Sequence, residues 1–131
     1  KHLHISMPSR NGGLLRQLSL LGQRVWTFRQ VFQREKFTHI FSFLESANVP
    51  CALASPLTLT SVHIDPDEWT ERQQKIIKFA FKRARAVVAL TNSMQVKLET
   101  RLQLSNVVRI YNPVMTDLVH QRAKESIAIN T

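Results

Sequence analysis

The chain has 131 residues, of which 44% are hydrophobic and 21% charged, with three Gly and five Pro. This composition is typical of a globular domain and excludes a disordered, collagen-like or disulfide-rich chain. Lys and Arg outnumber Asp and Glu by 18 to 9, which gives a net charge of +9. Such an excess predicts an anionic partner: nucleic acid, an anionic membrane surface or a phosphate-bearing ligand.

In chain order, short apolar, β-branched runs alternate with longer stretches of helical periodicity. The short runs predict five strands, over residues 3–6, 39–43, 58–63, 86–90 and 107–111. Apolar residues in steps of three and four predict helices over 14–32, 68–85 and 94–102, and residues 46–55 predict a shorter one. Strands separated by helices indicate βαβ units. The predicted fold is therefore α/β, a Rossmann-like parallel sheet with helices on both faces.

The boundaries of the predicted helices carry recognisable signals. Asp65 and Thr91 follow predicted strands and have side chains suited to cap the next helix. Pro50 is tolerated in a helix only near the first turn. The connection over residues 54–58 is short for a return from helix to strand, so residues missing at this point are one interpretation of it. Because the sequence opens on Lys1 rather than Met, we also expect upstream residues to have been lost.

The number of cysteines indicates whether the protein belongs to a reducing or an oxidising cellular compartment. Cys51 is the only cysteine and lies in the apolar run over residues 49–54, so it is interpreted as a buried packing residue. One cysteine cannot form an intrachain disulfide, and the sequence has no Asn-x-Ser/Thr sequon. Both observations favour a reducing environment, and the predicted location is cytoplasmic.

The predicted sheet also indicates where a ligand binds, because ligands of open parallel sheets lie beyond the carboxyl ends of the strands. Polar residues at or after the predicted strand ends are Ser42, Glu45, Ser46, His63, Asp65, Thr91, Ser93, Tyr111 and Asn112. A histidine that closes a buried strand, as His63 does, can bind a ligand hydroxyl or phosphate or support a developing charge. The alternative is a histidine that is bonded to a neighbouring loop.

No metal site is predicted. His2 and His4 have alternating spacing but no carboxylate or cysteine nearby, and two ligands make a poor site. Asp65 and Asp67 form an Asp-x-Asp pattern that helix capping explains without a metal. His39, at a strand start, and His120 are interpreted as structural or solvated residues.

Five cations follow one side of the predicted helix over residues 68–85: Arg72, Lys75, Lys78, Lys82 and Arg85. They form either a solvated face or a surface attracted to anionic lipid or to a phosphorylated substrate. Nucleic acid is not the expected partner, because no aromatic residues are interleaved for base stacking and no nucleic-acid-binding motif is present. The sequence also lacks a Gly-x-Ser-x-Gly elbow and a Walker loop.

Four segments, taken in order, resemble the N-terminal domain of family 4 glycosyltransferases. Residues 37–43 are similar to a strand of that family, and Asn48 with residues 52–54 is similar to the helix that follows it. Residues 59–63 resemble the strand that ends in the family's characteristic histidine, here His63. Residues 83–91 resemble a later strand, which ends at Thr91, and residues 107–114 resemble the segment that leads toward the second domain.

The resemblance implies a GT-B architecture, in which two Rossmann-like domains face a cleft and the N-terminal one holds the acceptor. Residues 1–114 would form an incomplete N-terminal domain, and residues 115–131 a linker or helix toward a C-terminal domain. The intact enzyme would transfer a sugar from a nucleotide-sugar to a hydroxyl of a polysaccharide or lipid-linked glycan, with retention at the anomeric carbon. The fragment alone is expected to be inactive.

The resemblance also implies roles for individual residues. His63 would be catalytic, and the acceptor would contact Ser42, Glu45, Thr91 and Asn112. No metal or other cofactor is expected in this fragment, and the nucleotide-sugar would be held elsewhere. Independently of the resemblance, if its cations attract anionic lipid, the basic helix over residues 68–85 would bring the protein to the anionic inner face of the membrane. The rival interpretation is a small basic α/β module that binds phosphate groups or nucleic acid without catalysis.

Overall fold

The computed structural model describes residues 13–112. The predicted strand over residues 3–6, the pair His2 and His4, His120 and the predicted linker over 115–131 lie outside the described residues. In chain order the elements are α1 (Leu14–Glu35), β1 (Ile40–Phe43), α2 (Glu45–Ala54), β2 (Thr58–Val62), a 3-10 turn (Pro66–Glu68), α3 (Glu71–Phe81), β3 (Ala86–Ala89), α4 (Asn92–Thr100) and β4 (Val107–Arg109).

The four strands form one parallel sheet in the order β1-β2-β3-β4. In its register, Ser42 pairs with Thr60, Val62 with Ala89, and Ala89 with Arg109. The prediction of an α/β fold with a Rossmann-like parallel sheet is confirmed. Because the strand order follows the chain and crossover connections are right-handed, α2, α3 and α4 lie on the same face of this sheet.

One hydrophobic core lies between this face and the three crossover helices. From the sheet it takes Val62, Val87 and Ala89, each 0% exposed, which alternate along β2 and β3 as residues of one face do. The helices and the segment after α4 contribute the rest: Val49, Ala52, Trp69, Ile77, Ala80, Phe81, Ala84, Leu98, Leu102 and Leu104. The core therefore joins elements that are distant in the sequence.

The second face of the sheet is apolar and has no helix on it within residues 13–112. Four of its side chains are Phe41, Phe43, Val108 and Ile110, which are 62%, 56%, 42% and 56% exposed. Parallel sheets are normally covered on both faces. The described helices thus cover one face only, whereas the sequence predicted helices on both.

The connections between elements are tight and well bonded. Pro50 is the sixth residue of α2, deeper than the first turn to which we expected it to be restricted. The three residues after α2 suffice to return the chain to β2, because Ser55 N donates to the Cys51 carbonyl and Leu57 N to the Ser55 hydroxyl. Thr70 begins α3 with a capping box shared with Gln73.

The unequal cover of the two faces predicts unequal costs of substitution. Val62→Ala removes buried methyl groups and is expected to lower the free energy of unfolding by about 2 kcal/mol. Phe41→Ala, although it deletes a larger side chain, is expected to cost less than about 1 kcal/mol because Phe41 is exposed. Urea unfolding of both variants measures the difference, and an equal or larger cost for Phe41→Ala would show that the second face is covered.

Candidate functional site

The residues predicted to form a site lie around the carboxyl edge of the sheet, because all four strands run in the same direction. Glu45 follows β1, His63 follows β2, Thr91 follows β3 and Asn112 follows β4 by three residues. We call this edge the carboxyl rim. Ser42 is the exception, since it lies within β1 and its side chain belongs to the covered face.

The turn from β1 to α2 is strained. Leu44 has φ 67° and ψ 143°, a conformation that L-residues rarely adopt, and its side chain is 56% exposed. Glu45 is the first residue of α2, where a carboxylate interacts favourably with the helix dipole. Its Oε1 accepts a hydrogen bond of 3.4 Å from Ile64 N and so ties this turn to the chain leaving β2.

Two polar side chains hold β1, α2 and β2 together beneath the rim. Ser42 is 3% exposed, and its hydroxyl lies 3.5 Å from the Leu59 carbonyl, to which it donates. Asn48 is fully buried, and its Nδ2 donates to the Ser61 carbonyl at 2.8 Å. Ser42 is thus buried in the sheet and is not presented to an acceptor in this conformation.

His63 lies on the second face of the sheet, the one on which none of the helices of residues 13–112 packs. Its Nε2 shares a hydrogen bond of 3.1 Å with the Ser61 hydroxyl, and the direction of that bond depends on the tautomer. The ring is 6.0 Å from the Phe43 ring, centroid to centroid. The Ser61 bond sets the orientation of the ring and leaves the imidazole exposed to solvent beside an aromatic wall.

The rim continues across β3 and β4 with residues that belong to α4 or contact it. The Thr91 hydroxyl accepts from Met94 N at 3.1 Å, so the predicted cap is confirmed. Asn92, the next residue, accepts a 2.5 Å hydrogen bond from Arg109 of β4. The Arg109 guanidinium in turn lies 5.2 Å from the centre of the Tyr111 ring. This end of the rim therefore carries a cation that the sequence did not single out.

Both carboxylates of the Asp-x-Asp pattern form ion pairs with cationic side chains of the same chain. Asp65 caps the 3-10 turn by accepting from Asp67 N at 2.9 Å. Lys97 of α4 contacts Asp65 at 2.7 Å and Asp67 at 2.9 Å, and Arg101 also pairs with Asp67. The hydrogen bond from Lys97, more than any other contact, lowers the pKa of Asp65, and the two carboxylates raise the pKa of Lys97. These two carboxylates fasten the segment after β2 to α4.

A cavity of about 400 Å³ opens next to the rim on the helix side. It lies between the first half of α1, the start of α2 and the start of α3. Its walls are mostly apolar and include Leu18, Leu21, Trp69 and Ile76, with Glu45, Arg24 and Arg72 among the polar members. The cavity exists because α1 packs along α2 and stands away from α3.

Two other residues considered in the sequence analysis, Cys51 and His39, lie away from the carboxyl rim. Cys51 is 6% exposed, and burial raises the pKa of its thiol to about 12, so it is the packing residue that the sequence predicted. His39 lies at the opposite, amino edge of the sheet, within 3.5 Å of Arg85. Among residues 13–112, no three His, Cys, Asp or Glu side chains converge on a point where they could hold a metal ion.

Sequence reasoning missed several of the residues that build this edge. Ser61 had a usable signal, because residues two apart on a strand share a face and its hydroxyl therefore points toward His63. Lys97 had none, since 32 residues separate it from Asp65. Leu44 had none either, because leucine is not a residue type that favours positive φ.

Comparison with models of known protein families, with curated proteins and with solved structures finds no match to this chain. In the described part of the chain, none of the helices combines the length and the hydropathy needed to cross a bilayer.

The strained turn yields a first prediction for this edge. Leu44→Gly is expected to raise the free energy of unfolding by about 1 kcal/mol, because glycine adopts φ 67° without steric cost. Leu57→Gly is the matched control, since Leu57 is also a partly exposed leucine in a loop but does not have positive φ. That control should destabilise. Chemical denaturation measures both, and destabilisation by Leu44→Gly would contradict a strained turn.

The ion pairs predict acid sensitivity. The pKa of Asp65 is lower in the folded chain than its ordinary value of 3.8, so the ionised carboxylate favours folding. That contribution is present above pH 3.8 and is lost as the pH falls through the lower, folded-state pKa. Lys97→Met should therefore reduce the loss of thermal stability between pH 7 and pH 3, whereas Lys82→Met, at an exposed lysine outside the cluster, should not. Equal pH profiles for the two variants would refute this.

Proposed function

We propose that this chain is the acceptor-side part of a retaining glycosyltransferase similar to those of family 4. The observation that carries the proposal is the carboxyl rim, where Glu45, His63, Thr91 and Asn112 follow four successive parallel strands. These residues belong to the segments whose order resembles that family. In open parallel sheets this edge is where ligands bind, and the resemblance and the topology support the same surface.

The geometry at His63 supports a contact with the transferred sugar or with the acceptor. In glycosyl transfer the bond from the anomeric carbon to the phosphate oxygen of the nucleotide-sugar breaks and a bond to the acceptor oxygen forms. The nucleoside diphosphate leaves with the bonding electrons and takes up the proton of the acceptor hydroxyl. The transition state has oxocarbenium character. An exposed imidazole whose orientation is held by Ser61 can hydrogen-bond a sugar hydroxyl at this centre. Phe43, 6.0 Å away, offers an apolar surface for a sugar ring.

The other residues of the rim are proposed to contact the acceptor in different ways. Glu45 lies at the mouth of the cavity and carries a carboxylate that can accept from an acceptor hydroxyl, although it already accepts from Ile64 N. Thr91 uses its hydroxyl to cap α4, so an acceptor would meet it through the remaining lone pair. Asn112 is exposed and is proposed to face the cleft. The nucleotide-sugar would be held by a second domain.

The exposed side of α3 supports a membrane-bound acceptor. Arg72, Lys75 and Lys82 are exposed on this helix, and Phe79, 64% exposed, lies among them. Each cation near an anionic bilayer contributes about 1 kcal/mol, and an exposed aromatic side chain adds apolar contact with the interface. We therefore propose a peripheral position at the cytoplasmic membrane surface and a polysaccharide or lipid-linked glycan as acceptor.

The same cations favour one rival, a basic α/β module that binds phosphate groups or nucleic acid without catalysis. Binding to generic duplex DNA with a log–log salt slope of several units would support the rival, because each neutralised phosphate releases counterions. Weak binding without that slope would favour the glycosyltransferase.

The transfer reaction gives the direct test. The coding sequence extended on both sides of these residues is expressed, and transfer from radiolabelled UDP-glucose, UDP-galactose and GDP-mannose to a membrane lipid extract is measured. His63→Ala is expected to lower the rate by about 100-fold, the typical effect of removing one hydrogen-bonding group at the reacting centre. His39→Ala, at the opposite edge of the sheet, should leave it unchanged.

Two results would contradict the proposal. Sugar transfer by these 131 residues alone would contradict an acceptor-side fragment that needs a second domain. An unchanged rate in His63→Ala, with the variant folded by circular dichroism, would contradict the role of His63.

A further inference from the structure

The cavity between α1, α2 and α3 has the properties of a ligand site. Its volume of about 400 Å³ is within the range of small-molecule pockets, roughly 300–1,000 Å³. Apolar side chains from all three helices form its walls: Leu18, Leu21, Val49, Trp69, Ile76 and Ile77. It opens beside the carboxyl rim, where Glu45 belongs both to the rim and to the cavity wall.

The side chains that line the cavity are not fully packed against other groups of the protein. Leu18 lines the cavity and is 48% exposed, although leucine is a residue type that is usually buried. Trp69 also lines the cavity, is 6% exposed, and its buried Nε1 donates to no acceptor in the described part of the chain. An apolar occupant would cover the exposed Leu18 side chain.

The charge around the cavity selects the kind of occupant. Arg72 lines it, and Glu45, a carboxylate in the same lining, is already engaged by Ile64 N. Arg72 is exposed in the first turn of α3, and no hydrogen bond or ion pair to it is found within residues 13–112. A guanidinium beside an apolar chamber suits a phosphate that is attached to an alkyl chain.

We propose that this cavity binds the alkyl chain of a lipid phosphate, with Arg72 paired to the phosphate at its mouth. The inference rests on the proposed function and deepens it, because it assigns the acceptor to the lipid-linked class. The alkyl chain replaces water along Leu18, Leu21 and Ile76, and the glycan would extend from the phosphate toward the carboxyl rim and His63.

The test uses the full chain and a defined probe, decyl phosphate below its critical micelle concentration, in isothermal titration calorimetry. Saturable binding of one molecule per chain is expected. Decyltrimethylammonium, of equal chain length and opposite charge, is expected to bind at least about tenfold more weakly, and inorganic phosphate likewise. Perturbed emission from Trp69 in a Trp26→Phe background would locate the probe, because these are the only two tryptophans of the chain.

Matched variants separate the two parts of the site. Leu18→Trp fills the cavity and is expected to weaken decyl phosphate binding at least about tenfold, whereas Leu15→Trp, on α1 but outside the cavity and 83% exposed, should not. Arg72→Gln should weaken it by about tenfold, whereas Lys82→Gln, which removes a charge at the opposite end of α3 and outside the cavity, should have no effect.

Three outcomes would overturn the proposal. Equal affinity for the cationic probe would show unspecific apolar binding. Equal affinity for inorganic phosphate, unaffected by Leu18→Trp, would show a surface anion site without a chain pocket. No saturable binding of decyl phosphate would leave the cavity without the proposed occupant. The transfer assay with His63→Ala is independent of these binding measurements. Failure of the lipid-phosphate proposal can therefore be distinguished from failure of the proposed glycosyltransferase activity.

Discussion

The parallel pairing of β2 with β3 is the constraint on which the rest of the molecule depends. It brings Val62 beside Ala89 and makes the inner face of the sheet continuous. Onto that face α2, α3 and α4 pack their apolar side chains, which form one core. Because parallel strands also end at the same edge, the pairing that builds the core delivers His63 and Thr91 to a common rim.

The described helices pack on one of the two faces of the sheet, although parallel sheets are normally covered on both. The inner face is closed, whereas Phe41, Phe43, Val108 and Ile110 leave an apolar surface on the other side. His63 belongs to that second face. Glu45 and the cavity belong to the helix side, so a substrate that reaches both must pass over the rim. The elongated acceptor that we propose, with an alkyl chain on one side and a sugar on the other, would fit this division.

Much of the rim was predictable from sequence because its causes are local. A histidine that closes an apolar strand, and a Thr that opens a helix after one, are recognisable without knowledge of the fold. The role of Ser42 was not predictable in the same way. Its position near a strand end indicated the rim, but its side chain points to the covered face and donates to Leu59. Residue alternation reveals such a difference only when it is known which face is covered.

The alternation of helices and strands, the parallel sheet and the edge at which its polar residues gather could be predicted from the sequence, because periodicity and crossover handedness act over short stretches of chain. Three features emerge only in the folded chain: the helices of residues 13–112 share one face, Lys97 pairs with Asp65, and α1 stands away from α3 to leave a cavity. Those outcomes depend on packing and charge pairing between residues tens of positions apart, and local propensity does not predict such contacts.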